Sequence, residues 1–130
     1  MRDIASNIGT VLALAPAVQS ATIKGATVDT AGFESCAFVI NTGATSGSPA
    51  PSFTAKLQES DTDVDGDFTD VVAGNLVGDL PASLEDSSVY KQSYIGHKKY
   101  VRVVVTKNSG TSIAAGAVAV LGHARSRPVA

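Results

Sequence analysis

Between Tyr94 and Gly122 the chain carries two β-forming arms with a run of turn formers between them, and this most restricts the fold it can reach. The first arm, Tyr94-Ile95-Gly96-His97-Lys98-Lys99-Tyr100-Val101-Arg102-Val103-Val104-Val105-Thr106, is rich in β-branched and aromatic side chains, which suit a pleated surface. The second, Ala114-Ala115-Gly116-Ala117-Val118-Ala119-Val120-Leu121-Gly122, is apolar on both faces, so another layer or another subunit must cover it. With Asn108-Ser109-Gly110-Thr111-Ser112 between them, the arms read as a long β-hairpin.

The rest of the chain repeats this grammar. Short β-like segments at 18–24, 34–41, 52–60, 68–72, 89–95, 99–107 and 114–122 are separated by stretches rich in Gly, Pro, Asn, Asp and Ser. Residues 52–60 alternate most cleanly, with Phe53, Ala55 and Leu57 on one face and Thr54, Lys56 and Gln58 on the other. Residues 34–41 are apolar on both faces, as a central strand would be. Residues 42–52 and 73–86 read as surface loops. No helix of ordinary length is expected, so neighbouring strands should be antiparallel. About seven strands in 130 residues predict an all-β fold, an antiparallel two-sheet β-sandwich. Jelly-roll-like and immunoglobulin-like topologies both fit, the antibody type being disfavoured without a central Trp or paired Cys. An N-terminal arm over 1–16, ending at Pro16 and holding one helical turn near Ile4 to Ile8, would precede the sandwich domain at 17–122. A C-terminal tail over 123–130 would follow it.

The core must be built from small side chains, because aromatics make up 5% of the chain and Trp is absent. Such a core leaves room for contacts between subunits to add stability. The net charge of -2 argues against nucleic acid as a partner, since phosphate binding requires a basic excess on one face. Charge is nonetheless uneven along the chain. Glu59, Asp61, Asp63, Asp65, Asp67 and Asp70 cluster in one stretch, whereas Lys91, Lys98, Lys99, Arg102, Lys107, Arg125 and Arg127 lie toward the C-terminus. Opposite patches could meet head to tail between copies, or the charges could simply be solvated. No run approaches the ~20 apolar residues of a membrane-spanning helix, so no membrane partner is expected. A signal peptide is disfavoured, because Asp3 weakens the positive start and Ser6, Asn7, Gly9 and Thr10 interrupt the apolar run.

Chemistry has few footholds. Asp61-Thr62-Asp63-Val64-Asp65-Gly66-Asp67 places carboxylates at alternate positions with Gly sixth, as a calcium loop does. Its twelfth position is Val72 where such a loop needs a bidentate Glu, so a turn is the stronger reading. Asp61, Asp63 and Asp65 are the candidate ligands if calcium binds. No other cofactor is expected. His97 and His123 sit beside glycines at strand ends, outside any metal spacing or catalytic motif, so no enzymatic activity is expected. Cys36 lies in an apolar run and reads as a buried hydrophobe.

Lys56-Leu57-Gln58-Glu59-Ser60 with Phe68-Thr69-Asp70-Val71, then Tyr94 through Val103, then Gly116 through His123 and a basic, proline-containing tail, together resemble small head-associated proteins of tailed bacteriophages. The resemblance covers roughly residues 50–130 and carries no catalytic signature. It implies a jelly-roll-like decoration, or cement, protein on the outer surface of the capsid, bound to the major capsid protein between capsomers and to copies of itself. Termini suit such contacts, which makes Arg2, Ile4, Ile8, Arg125 and Arg127 the candidate interface residues. A carbohydrate-binding β-module on a virion or tail surface, using Tyr90, Tyr94 and Tyr100 as sugar platforms, is the alternative.

Overall fold

The structure, a computed structural model, describes residues 3–48 and 50–125. The chain is an antiparallel two-sheet β-sandwich. Its ten strands are β1 (Gly9–Gln19), β2 (Ile23–Lys24), β3 (Val28–Asp29), β4 (Phe33–Ser46), β5 (Ser52–Ser60), β6 (Thr69–Asp70), β7 (Leu76–Val77), β8 (Val89–Tyr94), β9 (Tyr100–Ser109) and β10 (Ser112–Ala124). The first sheet runs β1-β10-β4-β8-β7; the second runs β2-β9-β5-β6, with β3 also on β9. Helix among the described residues is limited to three short 3-10 turns.

The core lies between the sheets. Phe38, Ile40, Ala117, Ala119 and Leu121 face inward from the first sheet, and Phe53, Leu57, Val101, Val103 and Val105 from the second. These inward positions follow the two-residue period of their strands, and β5 occupies the residues its alternation marks out. β4 is central in its sheet, with Cys36, Phe38 and Ile40 buried and Ala37 and Val39 only partly covered.

Several features differ from the sequence expectation. The arms on either side of residue 110 do not form a hairpin: β9 pairs with β5, β2 and β3, while β10 pairs with β4 and β1 in the other sheet. Each arm turns an apolar face to the core, Val101, Val103 and Val105 from β9 and Ala115, Ala117, Ala119 and Leu121 from β10. Side by side, both faces would need the same cover; in opposite sheets each helps to bury the other. The connection turns at Gly110, whose φ is 87°. A Cβ there would lie 2.3 Å from Pro51 Cα, so the crossing is packed against the start of β5.

The second difference is the expected arm over 1–16. A 3-10 turn over Ala5–Asn7 leads directly into β1, an edge strand of the first sheet paired along its length with β10. Its register shifts between Leu12 and Leu14 and again between Leu14 and Ala17. Those bulges break the alternation that would mark a strand. β4 likewise runs on to Ser46, into the stretch read as loop.

Candidate interaction surface

The two outer faces of the sandwich have different chemistry. On the second sheet, Gln58 pairs with Arg102 and Lys56 with Val104, so the polar positions of β5 and β9 share one face. The acidic turn after β5 folds over it. Arg102, 6% exposed, sends Nη1 to Asp65 Oδ1 at 2.6 Å and donates from Nε and Nη2 to Gln58 Oε1 at 3.0 and 2.8 Å. Its guanidinium lies 4.1 Å from the Phe68 ring centroid, a cation–π contact that covers the apolar side of the group. Lys24 also reaches Asp65, at 3.0 Å, and Lys56 reaches Asp70 at 3.1 Å. At the neighbouring loop, Lys98 meets Asp61 at 2.8 Å. Asp61, Asp65 and Asp70 of the acidic stretch are therefore ion-paired within the chain, Asp61 to Lys98, Asp65 to Lys24 and Arg102, and Asp70 to Lys56. The hydrogen bonds from Arg102 and Lys24 hold the Asp65 carboxyl below its ordinary value; Gln58 and Lys56 do the same for Asp70.

This packing also locates the candidate calcium ligands. Asp61 turns to Lys98, Asp65 turns to Lys24 and Arg102, and Asp63 is exposed on the turn between them; beside them Asp67 accepts from Thr62 Oγ1 at 2.5 Å. Calcium requires several oxygens converging at roughly 2.3–2.6 Å. Among the described residues no three His, Cys, Asp or Glu side chains converge in that way.

The outer face of the first sheet is nearly free of charge. Strand register sets Leu12, Val118, Val39 and Lys91 in one row across four strands, and Thr10, Val120, Ala37, Ser93 and Val77 in the next. Lys91 is the only ionisable side chain in these two rows. Leu12 is 55% exposed, Val77 55% and Val118 37%. Ala37, Val39 and Val120 between them are partly exposed, so apolar side chains predominate on this face.

At one end of this face is a groove of about 490 Å³ lined by Ile8, Ala37, Val120, Ser93, Ile95 and His123, among others. Ser35 Oγ and His123 Nδ1 share a hydrogen bond there, tying the start of β4 to the end of β10. His123 has φ of 51°, a left-handed conformation where β10 ends. Among the described residues, no carboxylate hydrogen-bonds its other ring nitrogen, so the pair lacks the orienting group of a nucleophilic triad. His97 is exposed on the loop before β9. Cys36 is buried, and burial pushes its thiol up to about 11.

The candidate interface residues divide. Ile4 is 69% exposed, and Ile8 is half-buried at the groove. Arg125 pairs with Glu34 at 2.8 Å, and its N–H donates to Gly32 O. Arg2 and Arg127 lie outside the described residues. The tyrosines do not form one platform. Tyr94 is buried, donating to Glu59 Oε1 at 2.7 Å and accepting from the Lys98 N–H at 2.9 Å. Tyr90 is half-buried and its hydroxyl accepts from the Glu85 N–H, while Tyr100 lies beneath Lys99 Nζ.

Sequence reasoning missed β1 as part of this surface, and nothing along the chain marks which outer face these charge-poor rows share. No protein-family model matches the chain, and no curated protein matches it.

Proposed function

We propose that this chain is a structural virion protein, a decoration or cement protein on the outer surface of a tailed-phage capsid, with no catalytic role. The observation that carries this reading is the contrast between the two outer faces: ion pairs tie Lys24, Lys56 and Arg102 of the second sheet to Asp65 and Asp70, whereas the first sheet's rows of Leu12, Val118, Val39 and Thr10, Val120, Ala37 carry Lys91 as their one ionisable side chain. A protein working by adhesion needs a rigid body and an apolar contact surface, and repetition over a symmetric shell turns weak contacts into firm attachment. The resemblance over residues 50–130 supplies the phage context, and the major capsid protein is the partner it implies. The first sheet's outer face is where that partner would sit.

Native mass spectrometry of intact particles tests this reading. The expected result is many copies per capsid, in a simple ratio to the major capsid protein; absence, or only a few copies, would overturn it.

A further inference from the structure

We propose that the outer edge of β1 pairs antiparallel with the same edge of a second copy, joining two first sheets into one continuous sheet across a twofold axis at Thr10. This seam is a property of the free protein and stands whether or not the chain binds a capsid.

β1 ends its sheet, with β10 on one side only. An edge strand presents a row of unpaired N–H and C=O groups, which soluble proteins ordinarily blunt with charges, Pro, bulges or a covering loop. The second half of β1 has such devices: Pro16, the bulges after Leu12 and Leu14, and the Ala26 N–H donating to Ala13 O at 2.7 Å. Residues 8–12 have none of them. Ile8 is already extended, with φ of -129° and ψ of 152°, and among the described residues no loop hydrogen-bonds the backbone of 9–12 from the open side. From Ile4 to Ile23 there is no Asp, Glu, Lys or Arg, so the edge meets itself without like-charge repulsion.

Sidedness selects the register. Thr10 and Leu12 pair with Val120 and Val118 on the outer face, while Val11, itself 36% exposed at the edge, pairs with Ala119, which is fully buried. A one-residue slip would turn the partner's core side outward. Centring the axis on Val11 would require the Ala13 carbonyl, which Ala26 already uses. Centring on Thr10 keeps the whole pairing within the open residues 8–12, with Thr10 opposite Thr10, Ile8 opposite Leu12 and Gly9 opposite Val11 of the second copy. Cross-strand Thr pairs are favourable, and the outer faces of both first sheets would lie on the same side of the joined sheet.

Sedimentation of the full chain tests the seam. The wild type should sediment as a concentration-dependent dimer. Thr10→Lys and Thr10→Glu, each placing like charges opposite one another, should be monomers with unchanged circular dichroism, and their equimolar mixture should regain dimer mass. If a Thr10 variant fails to fold, Leu12→Lys should give the same loss. A wild type that stays monomeric at all concentrations, a dimer indifferent to these changes, or a mixture of folded variants that remains monomeric would each overturn the proposal.

Discussion

Tyr94 and Glu59 show how single side chains hold the sandwich together. They come from different sheets, meet at 2.7 Å, and place a carboxyl that is 7% exposed beside a phenol that is 5% exposed. Burial, and then the hydrogen bond to Glu59, raises the Tyr94 hydroxyl well above its ordinary value, so it remains a donor throughout the usual pH range. Tyr94→Phe removes the partner of a buried carboxyl and should lower stability by about 1–3 kcal/mol. Urea titration would show it; an unchanged midpoint would mean that Glu59 finds water instead. Asp65 gives the pH dependence. Its folded carboxyl titrates below its unfolded value, so its contribution is present above the unfolded pKa of about 3.9 and is lost as pH falls through the folded one. Thermal melts from neutral pH downward should show stability declining below about pH 4, with Asp65→Asn shallower in that window than the wild type. Little of this network was legible from the chain. Glu59 occupies an inward position in the alternation of β5, but its partner is 35 residues away in sequence and in the other sheet.

At the scale of elements, alternation revealed strands and failed to reveal their neighbours. β5 was legible because Phe53, Ala55 and Leu57 alternate with polar residues without interruption. β1 was not, because two bulges and Pro16 shift its period within eleven residues. The β9 to β10 connection was misjudged for a different reason: Asn, Ser, Gly and Thr satisfy a tight hairpin and a crossing between sheets equally well, and the choice rests on which apolar faces must be buried. The sheets are also stitched at one side by residues 25 and 26. The Gly25 N–H donates to Val103 O and the Ala26 N–H to Ala13 O, each at 2.7 Å, linking β9 to β1. A Cβ on Gly25 would sit 2.4 Å from Ala13 O and 2.7 Å from Val103 O, both backbone atoms. Gly25→Ala must therefore push the strands apart, at a cost of about 1–3 kcal/mol. Loss of hydrogen-exchange protection should concentrate in β1 if this is correct; a uniform loss, or none, would contradict it.

For the whole molecule, the important property is the difference between its two outer faces. The clustering of acids near residue 65 and bases near residue 100 was visible along the chain, but one-dimensional order could not say whether the clusters lie on opposite poles or against each other. The strand order β2-β9-β5-β6 brings Lys98 to Asp61 and Arg102 to Asp65, and leaves the first sheet with the surface poorer in charge. That surface is assembled from strands distant in sequence, so it became apparent only when register was known. An assembly role predicts that this face is covered in the particle while the ion-paired face remains in solvent. A cryo-EM reconstruction of capsids saturated with the purified protein measures this orientation directly. The account predicts ordered density at symmetric sites, with Leu12, Val118 and Val39 toward the major capsid protein; absence of such density, or density with Arg102 and Asp65 toward the shell, would contradict it.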